Sequence, residues 1–155
     1  MSWDKELKIK QVDAIIRSLR PEKIASRPKG GWLKLVRTTL GMSARSLGER
    51  VGLTQSRIAY IEKGEEEGSI TLNTLEKVAE GLGCEVVYYL VPKERSLEKI
   101  RQKQAYRKAA KINGQVEVHM SLEDQSTSKE FQNRSISKLA HQYLEKWPAN
   151  FWDIP

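Results

Sequence analysis

The sequence predicts a mainly α-helical protein: a small helical bundle followed by one short β-strand, with helical extensions at the N- and C-termini. Three observations carry that prediction. The stretch from Met42 to Gly64, MSARSLGERVGLTQSRIAYIEKG, divides at Gly52 into two short amphipathic helices. Before and after it, apolar residues recur at helical spacing, as one buried face of a helix requires. The run CEVVYYLV at 84–91 is instead dense in β-branched and aromatic residues, the composition of a strand.

Length and composition set the bounds. A chain of 155 residues holds one domain, or one small domain with helical extensions. Its 30% charged and 39% hydrophobic residues suit a soluble helical protein with a modest core. A net charge of +7 and a pI near 9.5 favour a polyanionic partner. Cys84 is the single cysteine, so neither an intramolecular disulfide nor a thiolate zinc cluster can form. No long apolar run exists, and the N-terminus alternates charged and apolar residues instead of presenting a signal sequence; no membrane contact and a cytoplasmic protein are expected. Four segments are expected: 1–31, an N-terminal helix and basic linker; 32–83, the bundle; 84–92, the strand; and 93–155, a helical C-terminal region.

Residues 4–20 read as a helix with Val12, Ile15, Ile16 and Leu19 in one stripe, extended by Leu7 and ended by Pro21. That stripe must pack on the bundle or on a second copy of the chain. Residues 21–31 form a linker with Pro21, Pro28, Gly30 and Gly31, and with Lys23, Arg27 and Lys29 among them. Residues 32–40 give the first bundle helix, with Leu33, Val36 and Leu40 on one side, Lys34 and Arg37 on the other, and Gly41 closing it.

Ser43 caps the second bundle helix, whose buried face is Leu47 and Val51, and Gly52 ends it in the left-handed conformation. Thr54 caps the third, with Ile58 and Ile61 facing inward. Glu65-Glu66-Glu67-Gly68 is expected to be a loop. Thr71 or Ser69 caps a fourth helix, running to Leu82 with Leu72, Leu75, Val78, Ala79 and Leu82 at helical spacing; Gly81 and Gly83 terminate it.

The strand 84–91 then needs a partner for its backbone groups, and Pro92 stops it. A short N-terminal segment would serve, but the same strand of a second subunit is more economical, which argues for a homodimer. Lys93 to Lys111 carries eight Lys or Arg against Glu94 and Glu98 and is expected to be helical, with a weak apolar face of Leu97, Ile100, Ala105 and Ala109. Asn113-Gly114 breaks or bends it. Residues 121–130 form a turn and a cap. Ile136, Leu139, Ala140, Tyr143, Leu144 and Trp147 then define an amphipathic helix that Pro148 ends. The tail aromatics Phe151 and Trp152 are expected to pack on their own domain or on a partner protein.

Ile58 lies seven residues after Val51, so both helices share one core only if the chain bends sharply at Gly52-Leu53. That is a helix-turn-helix. Gln55, Ser56, Arg57 and Tyr60 then point outward near the start of the third helix, and their amide, hydroxyl, guanidinium and phenol groups are suited to reading a DNA major groove. Hairpins of this kind are common and most touch no DNA. The outward polar set, the positive charge and a helix on each side decide for double-stranded DNA. Lys34 and Arg37 would meet phosphates. The basic linker is read as solvated in preference to an arm in the minor groove, and the basic run 93–111 as a solvated surface in preference to further phosphate contacts. The three carboxylates at 65–67 are awkward: they point away from DNA, or they weaken non-specific binding.

Residues 32–83 resemble the lambda-repressor-like, Cro/C1 or XRE-type helix-turn-helix domain through Leu47, Gly52, Thr54-Gln55, Ile58, Glu62, Gly64 and the Leu-rich fourth helix. Within that class the chain resembles the mobile mystery protein A family. The residues concerned are KGGWLKLVRTTLGMS, EEEGSITLNTLEKVAEGLGCEVVYYLVP, SLEDQ and the terminal FWD. The resemblance implies a transcription factor encoded beside a Fic-domain protein, mobile mystery protein B, and antitoxin-like in that two-gene module. By position it implies base contacts from Gln55, Ser56 and Tyr60, with Arg57 beside them, and phosphate contacts from Arg37, Ala44 and Lys63. The full phosphate-contacting set expected is Lys34, Arg37, Ser43, Ala44, Thr54 and Lys63. Two positions depart from the pattern: Ala44 offers only its backbone amide, and Gly48 replaces the usual Ala, at about 1 kcal/mol of helix propensity. The inhibitory Ser/Thr-x-x-x-Glu-Gly/Asn pattern of Fic systems is absent, since Lys63 precedes Glu67-Gly68 and Glu76 precedes Glu80-Gly81.

The leading expectation is a homodimeric, autoregulatory repressor at a pseudo-palindromic operator. The alternative is a protein-binding antitoxin that works mainly through its C-terminal region. Catalysis is not expected: His119 and His141 lack ligand-like spacing, Cys84 reads as a buried thiol, and no phosphate loop or paired catalytic carboxylates stand out. No cofactor or metal is expected.

Overall fold

The computed structural model describes residues 2–123, 125 and 127–153. Its helices are α1 (Ser2–Ser18), α2 (Trp32–Thr39), α3 (Ala44–Val51), α4 (Gln55–Glu67), α5 (Leu72–Gly81), α6 (Leu97–Leu122) and α7 (Lys129–Lys146), with a 3-10 turn at Pro21–Lys23. They form two compact units, one of Ile24–Tyr89 and one of the chain on either side of it.

In the Ile24–Tyr89 unit, local chemistry sets the helix ends. Ser43, Thr54 and Thr71 each accept a hydrogen bond from the N–H three residues on, at 3.0, 3.2 and 3.2 Å, and so start α3, α4 and α5. Gly52 ends α3 at φ 71°, and the Leu53 N–H turns back to the Gly48 carbonyl at 2.8 Å. The bend brings Leu47, Ile58, Ile61, Val78 and Leu33 into one core with Ala79 and Leu82. Each such large apolar side chain stabilises the fold by about 1.5–3 kcal/mol on burial.

Several expectations are corrected here. The segment 65–68 is not a loop: α4 runs through Glu67 and Gly68 caps it at φ 74°. The fourth helix stops at Gly81, one residue short of Leu82; Gly81 is its buried last residue, where a Cβ would overlap Val51, and Gly83 takes the left-handed position at φ 71°. Residues 84–91 form no strand, nor is there one elsewhere among the described residues. A strand exists only as a pair, and the neighbouring segments are helical, so a strand-like composition leaves the chain merely extended. Cys84 is exposed rather than buried.

In the other unit, α6 and α7 form an antiparallel hairpin around Ala105, Ala109 and Ala140, small residues that let the helices approach closely, and Phe151 folds back onto them. Asn113-Gly114 does not break α6, which continues to Leu122; a Gly costs about 1 kcal/mol in a helix, too little to interrupt one packed along α7. Arg101 is buried between Glu98 at 3.0 Å, the Leu144 carbonyl at 3.0 Å and the Trp147 ring at 4.4 Å. Of the α1 stripe, Ile16 is buried while Ile15 and Leu19 remain exposed. The polar Asp13 is buried instead, because its carboxylate accepts from the Leu97 N–H at 2.7 Å and the Ser96 hydroxyl at 2.7 Å, fastening α1 to the start of α6. Burial raises the Asp13 pKa, but the hydrogen bonds from Leu97, Ser96 and Glu98 and the charge of Arg17 outweigh it and hold the carboxyl below its ordinary range. In the tail, Phe151 is fully buried and Trp152 is half exposed.

Candidate nucleic-acid interface

The candidate surface is the outer face of α4. Ile58, Ile61, Glu62 and Glu65 are buried, so the opposite side of the helix faces solvent. There Ser56, Tyr60 and Lys63 follow one another at i, i+4 and i+7 and form a crest, while Gln55 and Arg57 flank it near the helix start; all five are exposed. Tyr60 is 64% exposed, unusual for an aromatic with nothing to cover it. The Arg57 guanidinium lies 5.0 Å from the Tyr60 ring centroid, a cation–π arrangement that limits the rotamers of both side chains.

The structure brings these five together on one helix face. It does so less for the expected phosphate contacts. Lys34 is exposed on α2. Lys63 is exposed and lies 3.6 Å from Glu67. The Ser43 and Thr54 hydroxyls are engaged as helix caps, and Ala44 packs its methyl group on the core. Arg37 does not lie on the solvent side of α2, as expected, but turns inward. Its Nε and Nη2 donate to Glu62 at 2.5 and 3.0 Å, and its Nη1 donates to the Met42 carbonyl at 2.9 Å. The hydrogen bond to Glu62 raises the Arg37 pKa despite the opposing effect of burial.

The acidic end of α4 is likewise not a loop of free charges. The Glu65 carboxylate accepts from the N–H groups of Trp32 and Leu33 at 2.7 and 2.9 Å, capping α2 from a distant helix. Gly31 makes room for it, since a Cβ there would meet the carboxylate. Arg27, from the basic linker, donates to the Glu65 and Glu66 carbonyls at 2.7 and 3.0 Å, placing a cation at the negative end of the helix dipole. Glu66 and Glu67 stay exposed, but Glu67 is eleven residues beyond Ser56, about 16 Å along the helix.

A cleft of about 260 Å³ opens beside Arg57, and Asn73, Thr74 and Lys77 from α5 line it. Sequence reading missed these polar residues because it followed only the leucine face of α5. The complementary polar face, read with the same period, was the available signal.

Residues 33–89 match the family model described as Helix-turn-helix, HTH_3, an XRE/Cro-C1-type domain. The match supports a DNA-binding transcription regulator. No curated protein and no solved structure matches the chain at a significant level. Among the described residues, no helix is long and apolar enough to cross a membrane, and no cluster of His, Cys, Asp or Glu could hold a metal ion.

Proposed function

We propose that this chain is a sequence-specific transcription regulator that inserts α4 into the DNA major groove. The observation that carries the reading is the outward set Gln55, Ser56, Arg57 and Tyr60 on a helix whose other face is locked into the core. Gln55 bonds adenine through its amide and Arg57 bonds guanine or a phosphate; Lys34, Lys63, Ser43, Thr54 and the Ala44 amide lie toward the backbone. The protein acts as a homodimer on a pseudo-palindromic operator, with half-sites about 34 Å apart, and represses its own promoter. By its resemblance to the mobile mystery protein A family, it is the antitoxin-like partner of a Fic-domain protein.

The test is a footprint on the upstream region of the chain's own gene, with Gln55→Ala and Arg57→Ala variants alongside. Protection of two half-sites one helical turn apart, lost in the variants, is the expected result. Diffuse protection that ignores both variants would overturn the reading.

A second reading, direct contact with a partner protein through the C-terminal region, is favoured by one observation. Val118, Leu122 and Phe131 are 60%, 79% and 58% exposed at the turn between α6 and α7, more apolar surface than such a turn requires. Co-purification with the Fic-domain protein, and its loss on Leu122→Ser with Phe131→Ser, tests it.

A further inference from the structure

The chain outside Ile24–Tyr89 carries a basic cleft that the proposed role of α4 does not use. On α6, Lys99, Lys103, Arg107 and Lys111 recur at four-residue intervals and all four are exposed. The buried residues of the same helix are Arg101, Ala105, Lys108 and Ala109. Lys103 stands two residues from both Arg101 and Ala105, about 200° around the helix, so the cationic stripe faces away from the core. It spans about 18 Å.

Beside the stripe lies a cleft of about 320 Å³ with Lys93, Lys103, Arg107, Gln104 and Trp152 on its walls. The indole is not a loose tail group. Phe151 beneath it is fully buried, its carbonyl accepts from the Gln104 amide at 3.0 Å, and the neighbouring Asn150 carbonyl accepts from the buried Lys108 ammonium. Trp152 meets Phe151 edge-on, with centroids 5.0 Å apart, and stays 51% exposed beside the cations. One carboxylate intrudes: Glu94 pairs with Lys103 at 2.7 Å, and that hydrogen bond, with the charges of Lys103 and Lys99, holds its pKa below the ordinary range.

We infer that this cleft is a second, sequence-independent site for the DNA backbone, with Lys103 and Arg107 meeting phosphates and Trp152 packing against the sugar edge. The inference rests on DNA being the partner, as proposed for α4, but it does not depend on α4 being the base reader. A duplex carries one negative charge per about 1.7 Å of axis with both strands counted, or about 3.4 Å per strand, so one strand alone presents about five phosphates over the length of the stripe, enough for its four cations. Evenly spaced cations suit the regular phosphate repeat of a duplex backbone, and the exposed indole beside them offers an apolar surface to the deoxyribose.

The test measures binding of the full chain to a random-sequence duplex across a range of salt, for wild type, for Lys103→Gln with Arg107→Gln, and for Lys129→Gln with Lys138→Gln on α7 as a control of equal charge change. The log–log salt slope is expected to shrink in the α6 variant by about 0.9 for each phosphate it no longer neutralises, and to hold in the control. Duplex addition is expected to quench Trp emission in wild type, with that change abolished in Trp152→Phe. An unchanged slope in the α6 variant, equal losses in both variants, or a Trp152 signal that answers a poly-glutamate peptide and not the duplex would each overturn the inference. The outcome is separable from the role of α4, because Gln55→Ala with Arg57→Ala removes operator preference while this slope is measured on random DNA.

Discussion

Arg37 on α2 grips Glu62 on α4 with two hydrogen bonds, 2.5 and 3.0 Å long, in a site where the side chains are only 12% and 7% exposed. The pair ties the first bundle helix to the helix that carries the outward polar set. Removing one partner strands a buried charge, which costs about 3–5 kcal/mol, whereas replacing both with apolar residues of similar size is often neutral. Arg37→Met and Glu62→Met are each expected to lower urea stability strongly, and the double variant to recover most of the loss. Equal losses that simply add would show that the pair is not coupled.

Glu65 does for α2 what a cap residue does locally. Glu65→Ala leaves the Trp32 and Leu33 N–H groups without their acceptor, at about 1–3 kcal/mol for buried donors. Faster hydrogen exchange at these two amides is the expected readout, and it should exceed the change at α5.

Gly48→Ala is expected to destabilise the bundle although alanine is the better helix former by about 1 kcal/mol. A Cβ at this position overlaps the Leu53 carbonyl oxygen, a backbone atom in the turn between α3 and α4. Overpacking of this kind costs about 1–3 kcal/mol. A raised melting temperature would show that the turn can give way.

Asp13 provides a pH test. Its pKa falls on folding from an ordinary value near 3.8, so its contribution is fully present above that value and is lost as pH falls through the lower folded one. Protection from hydrogen exchange at Leu97 and Glu98 is expected to hold at neutral pH and to decline below about pH 4. Asp13→Ala should abolish that protection at every pH.

Tyr60→Ala is expected to weaken operator binding by more than one hydrogen bond is worth, because Arg57 loses the ring that restricts it. Tyr60→Phe keeps the ring and should retain most of the affinity if stacking is the cause. Electrophoretic mobility shifts of the two variants separate the stacking role from the phenol's own hydrogen bond.

Whatever depends on neighbours along the chain was legible in the residues. Ser43, Thr54, Thr71 and Gly52 act on amides and dihedrals within a few residues of themselves, so the ends of the short helices could be read, and the exposed set on α4 followed from helical period. Folding was needed for everything that joins distant residues. Glu65 finds its donors 32 and 33 positions away, Arg37 finds Glu62 at 25, and Asp13 finds Ser96 at 83; no local pattern distinguishes such groups from solvated charges. Residues 84–91 fail for the same reason in reverse. Their β-branched composition is local, but a strand is a property of two segments, and the described residues of one chain hold no second one to pair with.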